Sequence, residues 1–266
     1  MNLLDAAEVV TRGPGGWERG WDGESRACGD VSVYLSECDP AVTHDVVGQA
    51  AVDLDTVDDC GYRVIPFGVV ATLTRSTRNA REDDARWLIE ALRLSAEMPV
   101  ARGLLVRQGM GNAMSDVWIG SPDVEGIVAP ALTDANAVAA AVSEARERFF
   151  RKTLGIAPVL HVNPGSAIAL KRAGVVELKP DTGEDTTAWG DPVVISQGYS
   201  NIPDLTASPV AFFTGPITIT LSEIKEEDVI RATRQNKLVH QVTMLAAIDT
   251  APCAMVRIGP APVPTP

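Results

Sequence analysis

The chain has 266 residues, 45% apolar and 22% charged, so it can bury a sizeable core and should not be disordered. Its net charge of -12 opposes the phosphate attraction that supplies nonspecific nucleic-acid binding, which disfavours a DNA-gripping role. Aromatics at 5% leave a core that must be aliphatic and alanine-rich, and the length fits one large α+β unit or two interleaved subdomains.

Residues 1 to 42 carry Gly13-Pro14-Gly15-Gly16, Gly20, Gly23, Gly29 and Pro40 around Trp17 and Trp21, a pattern that predicts an extended arm rather than a compact core. Two tryptophans on such an arm need a surface to cover, either the chain's own body or a neighbouring copy. From Val46 to Val70, partial alternation around the acidic turn Asp58-Asp59 suggests an antiparallel ribbon. Glu82-Asp83-Asp84 then opens a helix with apolar residues at Ala85, Leu88, Ile89, Leu92 and Ala96, close to the 3.6 repeat and with acids at the positive end of the dipole. Pro99 should kink or end it. The glycine-punctuated stretch 103 to 130 predicts loops with one short strand around Val117 to Ile119.

A second helix is clearer. Thr133 or Asp134 is its N-cap, Val138, Val142, Ala145 and Phe149 form its apolar stripe, and Gly155 is its stop. Arg146, Arg148, Arg151 and Lys152 lie at its negative end. Pro158 to Val162 reads as a short buried strand, followed by the cap and first-turn pair Asn163-Pro164 of a helix ending near Gly174. Further strands are expected at Val193 to Ser196, Val210 to Phe213, Ile217 to Leu221 and Val239 to Ile248.

Motifs for chemistry are missing from the sequence. There is no G-x-S-x-G elbow and no P-loop, and Gly109-Met110-Gly111-Asn112-Ala113-Met114 lacks the third glycine and flanking strand of a dinucleotide site. His44, His161 and His240 are scattered, so no metal and no cofactor is expected, and His161 and His240 read as hydrogen-bonded packing residues. The acidic pairs flank turns and read as solvated. Cys28, Cys38, Cys60 and Cys253 form no CxxC pair and read as reduced thiols of a cytoplasmic protein; whether Cys28 and Cys38 pair is open. No stretch approaches the roughly 18 to 20 apolar residues of a membrane span, and no signal segment precedes Asp5. Arg75, Arg78, Arg81 and Arg86 beside Glu82 to Asp84 form either a solvated helix entrance with local ion pairs or a set of bidentate contacts to carboxylates of neighbouring copies.

Three successive runs carry a resemblance. Trp189-Gly190-Asp191-Pro192-Val193-Val194-Ile195-Ser196-Gln197-Gly198-Tyr199 is followed by Phe212-Phe213-Thr214-Gly215-Pro216-Ile217-Thr218-Ile219-Thr220 and by the mostly apolar stretch from Asn236 to Ile258. This order resembles the closing segment of tailed-phage major capsid proteins with the Hong Kong 97-type fold. The strand, "NP" cap and short helix near Asn163 resemble the axial domain of the same family, and the likeness in element order spans roughly residues 44 to 258.

The resemblance implies an α+β subunit with an N-terminal arm (1–42), an extension-loop ribbon (43–74), a peripheral domain with the spine helix (75–130), an axial domain (131–208), and return strands completing the peripheral domain plus a tail (209–266). It implies pentamers and hexamers of an icosahedral head enclosing double-stranded DNA, assembled in the host cytoplasm with a scaffold, a portal and possible decoration protein, and no enzymatic activity. DNA would be a neighbour by proximity only. A scaffold built into the chain is not expected, because no long charged helical region precedes the arm. Some shells of this family are locked by an extension-loop lysine; here no lysine precedes Lys152, so that crosslink is not expected. On this reading Trp17, Trp21, Arg75, Arg78, Arg81 and Arg86 are subunit-interface residues. An encapsulin-like compartment shell and an enzyme of another family are the alternatives.

Overall fold

The computed structural model describes residues 1–12, 25–26, 43–44, 50–51, 62–64, 66–76, 78–79, 81, 83–110, 113–122, 124–128, 130, 133–153, 156–178, 184–200, 211–226, 230–232, 236–250 and 252–259. Trp17 and Trp21 lie outside them, as do Cys28, Cys38 and Cys60 and half of the expected extension loop.

The first twelve residues depart from the expected arm. Asn2 caps a one-turn helix α1 (Leu3–Ala6) by accepting from the Asp5 amide at 2.9 Å, and Leu3 is buried. The next residues form β1 (Glu8–Arg12). The apolar Leu3-Leu4 pair gains more from burial than an extended chain would give it.

Strand β2 (Phe67–Ser76) alternates buried and exposed side chains and leads into helix α2 (Asp84–Ser95). Helix α3 (Glu97–Gly103) follows after a break at Ala96. The interruption falls one turn ahead of Pro99. In a continuous helix the residue-99 amide would bond the Ser95 carbonyl, and proline has no N–H to give. Within α3, Pro99 sits in the first turn, where no intrahelical donor is needed.

The expected strand at Val117 to Ile119 is absent. Those residues are buried, but the Ile119 amide bonds the Leu104 carbonyl at 2.8 Å, and the strands of this region lie on either side of them, in a short hairpin of Gly109–Met110 with Ala113–Met114 and in β3 (Glu125–Ile127). Apolar character predicted burial there, while pairing was decided by a partner strand far along the chain.

Helix α4 (Ala135–Thr153) follows the sequence reading closely: Asp134 accepts from the Asn136 and Ala137 amides, and Val138, Ala141, Val142, Ala145 and Phe149 are buried. Strand β4 (Val159–Val162) feeds α5 (Pro164–Arg172), capped by Asn163 accepting from the Ser166 amide at 2.7 Å and followed by Gly174 at φ 67°. The remaining main strands are β5 (Val193–Ile195), β6 (Ala211–Thr214), β7 (Thr218–Ser222), β8 (Lys225–Glu226), β9 (Ile230–Ala232), β10 (Lys237–Asp249) and β11 (Met255–Ile258).

Among the described residues these strands form two larger sheets. In one, β10 is the axis: β2 runs antiparallel along one side of it, β7, β8 and β9 lie along the other, and β1 adds parallel to β7. The second has the order β5-β4-β6-β11-β3. Its β4/β5 and β11/β3 pairs are parallel, and the pairs of β6 with β4 and β11 are antiparallel. Helix α2 packs on β2 and β10, and α4 packs on β11 and β6.

The return strands thus divide between two sheets, and the sequence boundary at 208/209 separates β6 and β11 from the β4 and β5 strands beside them. The chain changes sheet at Gly215-Pro216, where proline cannot continue a ladder, and again across residues 250–254. One continuous core runs through both sheets. They are tied by α3, which docks on the 3-10 turn Gln197–Tyr199 so closely that a Cβ on Gly198 would stand 2.4 Å from the Met98 carbonyl oxygen.

Candidate assembly surfaces

The segment Trp189 to Tyr199, the most telling part of the sequence, closes a tight clasp. Gly190 takes φ 89°, a left-handed conformation open to glycine, and the Gly190 amide bonds the Thr187 carbonyl at 2.8 Å. This turn aims the buried Asp191 at α4, where Arg146 donates from Nε at 2.6 Å and from Nη2 at 3.0 Å. Thr187 completes the carboxylate's partners with its hydroxyl at 2.9 Å. The Arg146 guanidinium lies 4.5 Å from the Phe150 ring centroid and 5.2 Å from that of Trp189, so its face is covered by aromatic rings. Pro192 and β5 then enter the second sheet.

That turn region leads to a buried polar triad. Thr214 Oγ1 donates to the Gly215 carbonyl, so toward His161 Nε2, 2.9 Å away, it acts as acceptor. Nε2 therefore carries the proton, and Nδ1 accepts from the Tyr199 hydroxyl at 2.9 Å. His161 also stacks on Phe212 with centroids 4.7 Å apart. Burial pushes the imidazole pKa down from 6.5 to about 3, and burial followed by the Glu97 charge pushes Tyr199 well up. The group is a neutral packing histidine, as its sequence context predicted. It cannot serve as a base, because both nitrogens are engaged and no solvent reaches it.

At the other sheet, Asp84 is the hub of the arginine cluster. It is 1% exposed, with Oδ1 2.9 Å from Arg75 Nε and Oδ2 accepting from the Arg81 amide at 2.9 Å. Arg75 is thus turned inward to its own helix. Arg78, Arg81 and Arg86 have exposed side chains, so of the four arginines the fold commits one internally and leaves three on the surface. Farther along, Glu125 is held by Arg148 and by Lys152 at 3.3 Å. Burial alone would raise its pKa, but the hydrogen bonds from those two cations prevail and hold it below the ordinary carboxylate value. Among the described residues no group of three or more His, Cys, Asp or Glu side chains could hold a metal ion, and no helix is long and apolar enough to cross a membrane.

No family model matches the sequence, and no curated protein is significantly similar to it. Solved structures do match. A chain from the capsid of an empty GTA particle is 12% identical, with a TM-score of 0.50 over 98% of this chain and 96% of that one. This chain has a capsid-subunit fold. Chains from Mycobacterium phage Che8 (14% identical, TM-score 0.49, 80% of this chain and 77% of that one) and Mycobacterium phage Cain (11%, 0.48, 93% and 83%) are also similar. The α+β capsid fold implied by the order of runs from Trp189 to Ile258 is the fold observed.

One feature of this capsid fold was overlooked in the sequence. Besides the buried stripe of Leu88, Leu92 and Ala96, the pair α2 and α3 exposes Trp87 at 57%, Leu94 at 86% and Met98 at 48%. They stand at i, i+7 and i+11, one line along the helical surface. The spacing is legible in the sequence, but there the Ala85-Leu88-Ile89-Leu92 stripe already accounts for a one-sided helix and masks a second apolar line.

Proposed function

We propose that this protein is the major capsid protein of a tailed phage, many copies of which close as pentamers and hexamers into an icosahedral head around double-stranded DNA. The observation that carries this reading is the likeness to the GTA capsid chain over nearly the whole length of both chains. In this reading the sheet built on β10, with α2 as spine, is the peripheral domain, and the five-stranded sheet with α4 and α5 is the axial domain. Residues 13–42 form the arm, with Trp17 and Trp21 as its anchors, and Arg78, Arg81 and Arg86 face neighbouring copies.

The work of such a subunit is mechanical. The clasp of Arg146 on Asp191 ties α4 to the turn before β5, and the close seat of α3 on Gly198 ties the two sheets, contacts by which the subunit would act as one tile. A shell can then change shape by rotating tiles rather than by remodelling them. The first lysine, Lys152, lies on α4 and is engaged by Glu125, so the shell is held without an extension-loop lysine crosslink. With a net charge of -12, the wall would not hold packaged DNA tightly. Scaffold, portal and decoration proteins are the partners of this role, and the virion is its location.

Light scattering and negative-stain microscopy of the purified protein test the reading. Closed shells, or rings of five or six, are the expected outcome. A monodisperse species near 28.2 kDa at every concentration, unchanged by crowding agents or by the proposed scaffold protein, would sink it.

A further inference from the structure

The ladder between β2 and β10 fixes which main-chain groups of β2 point away from the sheet. The Leu245 amide bonds Ser222 Oγ at 2.8 Å, so Leu245 faces β7 and not its β2 partner Gly68. Pairing alternates along an antiparallel ladder. Phe67, Val69, Ala71, Leu73 and Arg75 are therefore bonded to β10, while Gly68, Val70, Thr72, Thr74 and Ser76 turn their amides and carbonyls outward. Among the described residues no strand pairs with that edge. Among the described residues the Ser76 carbonyl is the one group there with a backbone partner, the Asn79 amide at 2.9 Å.

Protein edges of this length are normally blunted by proline, lysine, a bulge or an inward charge. Here the ten residues FGVVATLTRS contain no proline, no lysine and no acid, and Arg75 is tied to Asp84. The side chains on the outward-pointing residues are small and uncharged, with Val70 50% exposed. Of the sheet's other outer strands, β8 and β9 are two and three residues long, and β1 also offers much less. The Glu8 amide bonds the Ile217 carbonyl, so Glu8, Val10 and Arg12 face β7, and Val9 and Thr11 alone point outward.

We infer that the outer edge of β2 is a docking strand for the same edge of a second copy, paired antiparallel about a two-fold axis at Thr72. This rests on the tiling reading for the occupant and on the ladder for the site. The match is complete in that register: Thr72 meets the partner's Thr72, Val70 meets the partner's Thr74, and Gly68 meets the partner's Ser76. No two like charges fall opposite one another, and Thr–Thr and Val–Thr cross-strand pairs are favourable neighbours. A two-fold contact uses the same patch on both copies, so one edge sequence suffices. No other described edge of this chain presents as many groups.

Hydrogen exchange on the full chain, read residue by residue in the monomer and in the assembled fraction, tests this. The amides of Gly68, Val70, Thr72, Thr74 and Ser76 should exchange fast in the monomer and be slowed at least tenfold on assembly, while Val69, Ala71 and Leu73 are protected in both. Thr72→Pro removes an amide that the chain's own ladder does not use, and should weaken the association read by sedimentation at least tenfold while leaving the β10 ladder protected. Thr74→Lys, which keeps the backbone intact, should weaken it in the same direction. Shells that form while these amides stay fast overturn the docking edge and leave the tiling reading standing. Protection that is already present in the monomer shows that the chain covers its own edge, and also overturns it. A protein that never associates removes both readings.

Discussion

Arg146 grips Asp191 through two parallel hydrogen bonds, from Nε at 2.6 Å and Nη2 at 3.0 Å, across 45 residues of sequence. The pair joins the middle of α4 to the turn that launches β5, and Phe150 and Trp189 cover the guanidinium. Removing one partner of a buried pair leaves the other charge uncompensated. Asp191→Ala should therefore lower stability by about 3 kcal/mol, read by urea denaturation. Arg146→Lys keeps the charge but loses the fork geometry and should also destabilise. A change below about 0.5 kcal/mol in both variants, within the range of surface substitutions, would show that the clasp is incidental.

His161 makes stability depend on pH. Its folded pKa lies at about 3 and its unfolded value is 6.5, so between these values the unfolded chain binds a proton that the folded chain refuses. Stability from this residue is complete above pH 6.5 and is lost as pH falls toward 3, at a limiting slope of roughly 1.4 kcal/mol per pH unit. Denaturation midpoints from pH 7 to pH 4 should fall more steeply in the natural protein than in His161→Gln. Parallel curves would mean that His161 is not the group responsible.

Gly198 has no room for a methyl group. The Met98 carbonyl oxygen would be 2.4 Å from a Cβ there and the Ala101 Cβ 2.8 Å away, and the first of these is backbone. Gly198→Ala should cost about 1–3 kcal/mol through displacement of α3, visible as a lowered melting temperature. Gly190→Ala meets no atom within 4 Å but must hold φ 89°, so its cost of about 1–2 kcal/mol comes from the backbone alone.

The line of Trp87, Leu94 and Met98 lies on the surface of the single chain. Leu94→Arg should therefore change subunit stability by no more than about 0.5 kcal/mol. Particle yield, counted by microscopy at equal protein concentration, should drop. Unchanged yield would exclude this line from the contacts between copies.

Asp84→Ala tests the arginine cluster. It leaves the Arg75 guanidinium without its buried counter-ion and the Arg81 amide without its acceptor, and should destabilise by about 1–3 kcal/mol in thermal melts. Arg86→Ala, on the exposed face of α2, should not, which separates the internal arginine from the surface ones.

The elements whose cause is local were legible in the sequence. Asp134 and Asn163 are caps whose side chains reach amides two or three residues on, the Val138 to Phe149 stripe follows the 3.6 repeat, and Gly174 ends its helix at φ 67°. The capsid fold was legible from the order of runs between Trp189 and Ile258, because each run is set by local pattern and their succession is rarely reproduced. The rest depended on partners far away in the chain. The apolar residues Val117 to Ile119 are buried as their composition required, yet the strand formed at Glu125–Ile127 because β11 lies beside it, and composition carries no information about which edge will be free. The first twelve residues joined the body for the same reason, since β7 offered an edge to β1. The sequence by itself determined the helices with local caps and most of the buried residues, through short-range sterics and burial. Only the tertiary structure decided which strands share a sheet, which arginine turns inward to Asp84 and which face of α2 is left exposed, because each of these is a choice among long-range partners of similar local energy.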